Sequence, residues 1–345
     1  MSLPEESLDV LIVGAGPAGL ACAVGLERAG HRYRVLEQGG VVDTIRRMPT
    51  QMVFFTTPEL LEIGGLPMVS VGGKPTRAEA LMYYRRVVDA LGLKVRPYEK
   101  AMRFSGSDGD FAVETERTTG AGGRRYRARK LVLATGIYDH PRHLGVPGEE
   151  LPKVSHYYGE AHPYHGCDVA VIGGANSAAE AALELYRAGA RVTLVHRRAE
   201  LAKSLKYWVA PDIGNRLRNG QIQARLQTEV VEVLPDRLRL RHAGTGETSE
   251  IPNDFVLALI GYHADDAFLR GLGIELDPET RKPRLDPATL ESNVPGLYVA
   301  GVLVAGNDNN KVFIENGRFH GERITAALER SLRARAAEPV GSGRR

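Results

Sequence analysis

The feature that most constrains this chain is a strand, a glycine-rich turn and a helix that occur twice in the same order. The first copy begins with the apolar strand Leu8–Val13 and continues as GAGPAGLACAVGLERAG, and the second begins with Asp168–Ile172 and continues as GGANSAAEAALELYRAG. A further apolar strand closes each copy, at Glu37 and His196, each 23 positions after its first glycine. This order is typical of the dinucleotide-binding unit of doubly wound α/β proteins. The sequence therefore predicts an α/β chain with two Rossmann-like dinucleotide-binding domains.

The first glycine turn has the residues that dinucleotide phosphates require. Gly14 permits the tight turn, Gly16 lets the backbone approach a pyrophosphate, and Gly19 lets the helix pack closely on the strand. The helix N-terminus then offers free amides and the positive end of its dipole to the phosphates. Glu37 stands where a carboxylate accepts hydrogen bonds from a ribose 2′-hydroxyl and repels a 2′-phosphate. The unit is predicted to bind the adenosine half of FAD, or of NAD, because a turn with incidental glycines does not account for strand, helix and acid together.

The second turn has the same register but different chemistry at its ribose end. No acid ends the strand, and His196 is followed by Arg197 and Arg198, two permanent cations that can bind a 2′-phosphate bidentately. Ala178 replaces the third glycine, and a small residue is tolerated at this helix-packing position. The alternative is that the arginines only solvate a strand end. The predicted NADPH contacts are Gly173, Gly174, Asn176, Ser177, Ala178, His196, Arg197 and Arg198.

Strands that end in small residues mark where the chain leaves the first domain and returns to it. KLVLATG at Lys130–Gly136 follows a hairpin candidate, and FVLALIGY at Phe255–Tyr262 closes the stretch that holds the second glycine turn. VPGLYVAG at Val294–Gly301 is a further strand, which would return to the first sheet. The predicted organisation is an FAD domain made of 1–138 and 263–345, with an NADPH domain at 153–262 inserted into it.

Several further residues are predicted to border the flavin. A last helix that starts at about Asn316 or Gly317 would present its first amides, near Arg318, to negative charge on the reduced flavin. Arg318 can instead cap surface charge. The segment from Pro49 to Thr57 is polar and aromatic and is a candidate to border the isoalloxazine, although core packing explains its phenylalanines equally well. The predicted FAD contacts are Gly14, Gly16, Pro17, Ala18, Gly19, Glu37, Gln38, Pro49, Thr50, Phe55, Thr56, Ala134, Thr135, Gly136, Gly301, Val302, Arg318 and Phe319.

Composition disfavours several other classes of protein. The formal net charge of the 345 residues is only +3, and the basic residues are scattered among acids, unlike the basic stripe of a nucleic-acid binder. Cys22 and Cys167 are too far apart for a local disulfide framework or the usual metal-site spacing, and no metal is expected. No signal peptide precedes the first strand, and no apolar run approaches the roughly 18 residues of a spanning helix. We expect a cytoplasmic homo-oligomer, a dimer or tetramer, with no nucleic-acid or membrane partner.

The order of these motifs resembles the two-domain flavoprotein disulfide reductases of the thioredoxin-reductase type. The matching order is GxGPxG, ATG, GGxNSAxEAA, HRR and GLYVAG, and it covers nearly the whole chain. Members of that type carry a CxxC pair shortly before the second glycine strand, which relays electrons from the flavin to a protein disulfide. The matching positions here fall near Tyr157 and Glu160, which cannot perform thiol chemistry. The resemblance implies the fold but disfavours a thioredoxin reductase.

Longer strings are similar to the bacillithiol-disulfide reductase family of the YpdA type, which has the same fold without CxxC. Val302 stands where the last FAD motif usually has Asp, and that family also shows Ala-Gly-Val. Its members often have a cysteine after the proline of the first motif, proposed as the redox-active thiol, where this chain has Ala18. Cys22, one helical turn later, is more typical of a small core residue than of a nucleophile. The similar strings are FFTTPELLEIG from Phe54, KPTRAEALMYYRRVV from Lys74, HYYGEAHPYHG from His156, LKYWVAPDIGNRLRNG from Leu205 and GNDNNKVFIENGRFHG from Gly306.

The resemblance implies an FAD-dependent oxidoreductase that takes electrons from NADPH and reduces a low-molecular-weight disulfide such as bacillithiol disulfide. No catalytic residue is identified, and His156, His162 and His320 are the candidate proton donors because histidine titrates near neutral pH. Two alternatives stay open. One is a flavin monooxygenase, although His156–Gly166 matches the FxGxxxHxxxxP-type string of such enzymes poorly. The other is a flavin-bearing electron-transfer or redox-sensor protein.

Overall fold

The computed structural model describes residues 3–337. The two ends of the predicted FAD domain, 1–2 and 338–345, therefore lie outside the described residues. The chain divides into two compact units, each formed by segments that are separate in sequence. The first unit comprises Met1–Arg47, Thr56–Asp139 and His263–Arg345, and the second comprises Met48–Phe55 and His140–Tyr262.

Fifteen strands and eight α-helices are present within residues 3–337. The strands are β1 Glu5–Val13, β2 Tyr33–Leu36, β3 Val95–Arg96, β4 Glu99–Ser107, β5 Asp110–Arg117, β6 Arg125–Leu133, β7 Val154–Ser155, β8 Asp168–Ile172, β9 Arg191–His196, β10 Gln223–Leu226, β11 Thr228–Val233, β12 Arg237–His242, β13 Thr248–Pro252, β14 Phe255–Ala258 and β15 Leu297–Val299. The helices are α1 Pro17–Arg28, α2 Asp43–Arg47, α3 Arg77–Leu91, α4 Asn176–Arg187, α5 Val209–Arg218, α6 Asp266–Gly271, α7 Ile314–Gly317 and α8 His320–Ala337.

The first unit is built on a seven-stranded sheet in the order β3-β2-β1-β6-β5-β4, with β15 paired to β6. Strands β1, β2, β3, β6 and β15 are parallel, whereas β5 is antiparallel to both β4 and β6. β1 lies in the interior of the sheet, and Val10, Leu11 and Ile12 are fully buried. A continuous apolar run is typical of a parallel strand that is covered on both faces.

Helices α1 and α8 of the first unit approach each other closely through glycines. A Cβ on Gly25 would lie 2.2 Å from the Thr325 hydroxyl oxygen, and one on Gly321 would lie 2.5 Å from the Ala21 backbone. Because these glycines have no side chains, the two helix backbones can meet. The contact fixes the start of α8 relative to the helix that follows the first glycine turn.

The second unit contains a parallel five-stranded sheet and a smaller antiparallel one. The parallel sheet has the order β10-β9-β8-β14-β7, and the other is β11-β12-β13. Helix α4 packs in this unit's core through small buried side chains, including Ala178, Ala181 and Ala182. These alanines let the helix lie close to its neighbours, as the third position of a glycine fingerprint requires.

One predicted element differs from the structure. The single last helix expected to start at about Asn316 or Gly317 is two helices, α7 and α8, so the last helix starts at His320. The Asn316 side chain accepts from the Phe313 N–H at 2.9 Å and donates to the Lys311 carbonyl at 2.8 Å, which caps the start of α7. In the part of the chain that is described, no helix combines the length and the apolar character needed to cross a membrane.

Candidate functional site

The first glycine turn follows β1 at its carboxyl end and needs glycine at two positions for its own packing. Gly14 has φ +107°, a conformation that favours glycine, and its N–H donates to the Leu36 carbonyl at 2.8 Å. A Cβ on Gly14 would lie 2.3 Å from the Ala134 carbonyl oxygen, and one on Gly19 would lie 2.0 Å from the Gly14 carbonyl oxygen. These two glycines are therefore explained by the fold alone.

Gly16 is different because the protein's own packing does not require a glycine there. Its φ of −71° and ψ of 174° are open to other residues, and beyond its chain neighbours no heavy atom lies within 4 Å of the place that a Cβ would take. Gly16 caps α1, Pro17 opens the helix, and the first turn contains no acidic side chain. The amides of Ala18 and Gly19 lack an acceptor within the helix by position. Free space and free amides together fit a pyrophosphate.

Glu37 is held at the carboxyl end of β2 by two backbone amides. Its Oε2 accepts from the Ala15 N–H and its Oε1 from the Gly39 N–H, both at 2.9 Å. The side chain is 9% exposed, and burial raises the pKa of the carboxyl group. The side-chain amide of the neighbouring Gln38 donates to the Asp139 carboxylate at 2.7 Å. The carboxylate thus has a fixed position beside the glycine turn.

The ATG and AGV segments follow β6 and β15 at the edge of the sheet where the first turn lies. Gly136 and Gly301 both adopt left-handed backbone, with φ +70° and +73°, and Thr135 is exposed. A Cβ on Gly301 would lie 3.0 Å from the Cβ of Ala18, and Val302 is in the 3-10 turn that follows. The structure therefore brings these predicted contacts together at the carboxyl ends of three parallel strands, which is where doubly wound sheets bind ligands.

His320, a predicted proton donor, is a hydrogen-bond acceptor at this edge. Its Nδ1 accepts from the Gly301 N–H at 3.1 Å, and the residue is 7% exposed. Burial, with a smaller contribution from Arg323, lowers the pKa of His320 to about 4. The ring is therefore neutral at physiological pH and holds the Gly301 backbone in place.

The lowered pKa of His320 predicts a stability loss in mild acid. The unfolded chain binds this proton below about pH 6.5, whereas the folded chain resists it down to about pH 4, so stability falls as the pH drops through that window. From pH 7 to pH 5 we expect a loss of about 2 kcal/mol in unfolding free energy from this group. His320→Gln, which can still accept from Gly301, should show a shallower pH dependence in urea titrations. An unchanged pH dependence in the variant would contradict the assignment.

The Arg318 side chain donates hydrogen bonds to backbone carbonyls of the first unit. One guanidinium nitrogen donates to the Glu59 and Glu62 carbonyls at 2.7 and 2.8 Å. The guanidinium also lies 4.8 Å from the centroid of the Phe319 ring, which is half exposed. The partners of Arg318 are carbonyls rather than surface carboxylates. Its side chain ties the loop before α3 to the turn between α7 and α8.

The segment predicted to border the isoalloxazine divides between the two units. Met48–Phe55, which includes the predicted contacts Pro49 and Thr50, groups with the second unit, and Thr56 belongs to the first. The Thr50 N–H donates to the Gly159 carbonyl at 2.8 Å. Phe55 is 42% exposed and Thr56 is buried. The two neighbouring residues therefore differ in burial as well as in the unit to which they belong.

The second glycine turn follows β8 as the first follows β1, and it is also closely packed. Gly173 has φ +148°, and its Cβ would lie 2.8 Å from that of Ala178. A Cβ on Gly174 would lie 2.3 Å from the His196 ring, so this imidazole packs directly on the turn. Burial and the neighbouring Arg198 and Arg197 lower the pKa of His196. The fixed positive charge at this strand end therefore comes from the arginines.

Arg197 and Arg198 are exposed, and within residues 3–337 neither forms an ion pair. The Asn176 side chain donates to the Ser204 carbonyl at 3.3 Å and accepts from the Lys206 N–H at 2.8 Å, while Ser177 of the same helical turn is exposed. This places 202–206 next to the second turn. The sequence did not predict that 202–206 lies there, because nothing except its position after the HRR string connects this segment with the nucleotide.

The other two histidine candidates lie in the second unit. His162 is exposed and opens the 3-10 turn His162–Tyr164. His156 lies beside Glu149, with Nε2 3.4 Å from Oε1, and burial lowers its pKa despite that carboxylate. His156 is thus joined to an acidic partner that sequence spacing alone did not indicate.

Both cysteines are free thiols in positions that disfavour redox chemistry with the nucleotides. Cys22 is fully buried in α1, and burial raises its pKa to about 12, so it is protonated at neutral pH. Cys167 precedes β8 and therefore lies at the opposite end of that strand from Gly173, roughly 20 Å away at about 3.3 Å per residue. The sequence-based interpretation of Cys22 as a core residue is confirmed.

Comparisons with known proteins agree with this geometry. Residues 11–301 match the family described as pyridine nucleotide-disulphide oxidoreductase. The chain is 42% identical over 319 residues to the bacilliredoxin reductase Bdr of Bacillus subtilis, which covers 92% of this chain and 96% of that protein. The structure resembles the bacillithiol disulfide reductase Bdr (YpdA) from Bacillus cereus with a TM-score of 0.92 and 41% identity, over 94% of this chain and 100% of that one.

A more distant likeness concerns the fold alone. Thioredoxin reductase from T. acidophilum is 22% identical, with a TM-score of 0.73 over 94% of this chain and 99% of that one. The expected thioredoxin-reductase-like fold and the resemblance to the bacillithiol-disulfide reductases are thus confirmed. Family membership implies, in general terms, a flavin and a nicotinamide cofactor. The chain belongs to the pyridine nucleotide-disulphide oxidoreductases and, within them, to the family of the bacillithiol-disulfide reductases.

Proposed function

We propose that this protein is an FAD-dependent oxidoreductase that takes electrons from NADPH and reduces a low-molecular-weight disulfide. The observation that carries the proposal is the contrast between the two ribose ends. The first has the buried carboxylate of Glu37, and the second has the exposed Arg197 and Arg198. A carboxylate accepts from ribose hydroxyls and repels a 2′-phosphate, whereas guanidinium groups bind one. FAD therefore suits the first unit and NADPH the second.

In the first unit the protein would bind FAD mostly through backbone groups. The amides of Ala18 and Gly19 would face the pyrophosphate, in the space beside Gly16. Each Glu37 oxygen that accepts one amide keeps a lone pair for a ribose hydroxyl. The ATG and AGV segments, with Gly301 held by His320, would border the flavin side of the same edge.

In the second unit the first turn of α4 would hold the nicotinamide nucleotide's pyrophosphate. That turn has no acidic side chain and no side-chain cap, so its amides are available to an anion. Arg197 and Arg198 would then bind the 2′-phosphate, and Asn176 would keep 202–206 in place beside it.

The overall reaction converts NADPH, a proton and a disulfide into NADP⁺ and two thiols. When bound, FAD relays the two electrons between the hydride donor and the disulfide. The residues of this chain bind and orient the reactants, and we assign none of them as a proton donor. His320 in particular serves to position Gly301.

The names of the relatives support two acceptors. The protein from B. cereus is a bacillithiol disulfide reductase, which favours a small disulfide, and the one from B. subtilis is a bacilliredoxin reductase, which favours a small redox protein. We propose bacillithiol disulfide as the first candidate and a bacilliredoxin disulfide as the second. Both are disulfides that the same reduced flavoprotein would reduce.

Anaerobic titration of the purified yellow protein tests the proposal. One equivalent of NADPH should bleach the flavin, and the same amount of NADH should leave most of it oxidised. Bacillithiol disulfide should then restore the oxidised spectrum, with cystine as the control disulfide. Restoration by a bacilliredoxin disulfide alone would select the second candidate. If neither disulfide reoxidises the flavin, disulfide reduction is excluded.

We expect turnover to survive removal of both cysteines. Cys22 is buried as a thiol, and Cys167 lies at the far end of its strand from the glycine turn. The double variant Cys22→Ala and Cys167→Ala should keep at least about half of the NADPH-driven disulfide reduction, with a small stability loss from the cavity at position 22. Loss of disulfide reduction with flavin reduction intact would show that a chain thiol carries the electrons.

We also propose that the protein works as a homo-oligomer in a reducing cytoplasm. Val69 and Val71 are almost fully exposed, and Met82 of α3 is 59% exposed. Glu79 of α3 accepts from the Val71 N–H at 2.8 Å, so the apolar loop lies against that helix. Exposed apolar side chains that cluster in this way are typical of protein interfaces. Sedimentation velocity of the wild type and of Val71→Ser would test the assembly.

A further inference from the structure

Three side chains with metal-ligating atoms meet in the second unit, apart from the glycine turns. His143 and Glu149 lie between the first unit's ATG segment and β7, and His156 follows β7 directly. One ligand atom from each of the three lies within 4.8 Å of the other two. We call these residues the His–Glu–His cluster. None of the nucleotide contacts proposed above uses it.

The spacing within the cluster is that of ligands around one ion. Glu149 Oε1 is 3.3 Å from His143 Nδ1 and 3.4 Å from His156 Nε2. Ligands that bind a zinc ion at about 2.0–2.1 Å in a tetrahedron are ~3.3–3.4 Å apart. The two measured separations therefore match two edges of such a tetrahedron without movement of the side chains.

The carboxylate is oriented in advance by the backbone. Glu149 Oε1 accepts from the Leu144 N–H and Oε2 from the Gly145 N–H, both at 2.7 Å. Metal-ligating carboxylates are commonly hydrogen-bonded in this way, which fixes the direction of their lone pairs. The Glu149 and His156 side chains are 12% and 14% exposed, and His143 is 65% exposed. Two ligands are thus held by the fold, while the third faces solvent and leaves a path for an ion.

We propose that the His–Glu–His cluster binds one divalent transition-metal ion of the zinc class. Two imidazoles and one carboxylate are the ligand set, and water fills the fourth position. The ion would join the loop at 143–149 to the residue that follows β7. This site could not be predicted from the sequence, since the ligands are separated by six and seven positions and belong to no zinc-binding string.

Zinc binding by the untagged, flavin-loaded chain tests the proposal. The protein is stripped with a chelator and dialysed against buffered zinc, and bound zinc is then measured per chain. His143→Ala removes an exposed ligand, Glu149→Gln removes the anionic one, and His162→Ala is the matched control, an exposed histidine of the same unit. We expect one zinc more per chain in the wild type and in the control than in either cluster variant.

Affinity and stability give a second readout that does not depend on turnover. Loss of a ligand should weaken zinc binding by at least about tenfold. Mutation of residues that only hydrogen-bond to metal ligands already lowers metal affinity by about 10- to 100-fold. Zinc should raise the thermal midpoint of the wild type and of His162→Ala but not of His143→Ala, because an ion that binds only the folded state stabilises it. Equal zinc content and equal midpoint shifts in all four proteins would overturn the proposal. The cluster would then be a hydrogen-bonded trio only.

Discussion

Replacing Gly16 by alanine is expected to give a folded protein that no longer retains flavin. The backbone at Gly16 has φ −71°, and a Cβ there meets no protein atom within 4 Å apart from its chain neighbours. The added methyl group would instead occupy the space beside the free amides of α1, where the pyrophosphate must approach. We expect flavin content to fall by at least about tenfold while the apoprotein keeps its circular dichroism spectrum and, within a few degrees, its thermal midpoint.

Gly14→Ala is the matched comparison, and we expect this variant to lose its fold and not only its flavin. Its Cβ would lie 2.3 Å from the Ala134 carbonyl oxygen, and φ +107° is unfavourable for alanine. The protein itself must deform, so solubility and secondary structure should be lost before flavin binding can be assessed. If Gly16→Ala keeps its flavin, the proposed place of the pyrophosphate is wrong. If Gly16→Ala unfolds like Gly14→Ala, the contrast between the two glycines is wrong.

Removing both arginines at the second ribose end should change the preference between nicotinamide nucleotides. A hydrogen bond to a charged group contributes about 1.5–3 kcal/mol. Loss of one such bond from each arginine in the double variant Arg197→Ala and Arg198→Ala should therefore lower kcat/KM for NADPH by about 10²- to 10⁴-fold. The value for NADH should change by no more than about twofold, because NADH has no 2′-phosphate. The measurement is flavin reduction rate against nucleotide concentration for both donors.

The control for the arginine experiment is Arg218→Ala, an exposed arginine at the end of α5. It removes positive charge from the same unit without touching the strand end after β9. Its NADPH kinetics should match the wild type at moderate salt, where distant surface charges are screened. Equal losses for NADPH and NADH in the double variant would remove the argument that these arginines recognise the 2′-phosphate.

The sequence was informative where local pattern and local chemistry determine structure. Strand β8 has the predicted bounds, because an apolar run followed by a glycine turn has few other solutions. The same holds for the two glycine turns, whose residues are contiguous. Family strings then identified the fold, since long matched segments are far more specific than glycines.

Other features depend on contacts between distant segments and could not be predicted. Arg318, between α7 and α8, donates to the carbonyls of Glu59 and Glu62, which are more than 250 positions away in the sequence. The acceptor role of His320 depends on its burial beside Gly301, and a histidine in a sequence carries no sign of either. The His–Glu–His cluster forms only because a loop and a strand end meet in space.

The strands of the first sheet are separated in the sequence by most of the second unit, and this order determines when the proposed flavin site is completed during synthesis. β6 pairs with β5 along its first half and with β15 only through Leu131–Leu133, yet the larger segment of the second unit, His140–Tyr262, is translated between β6 and β15. Until Leu297–Val299 leaves the ribosome, this end of β6 has an open edge, and such edges favour aggregation. Gly301 and His320 emerge later still. The proposed flavin site is therefore completed only late in synthesis, and a chain truncated before β15 would present an exposed strand edge instead of that site.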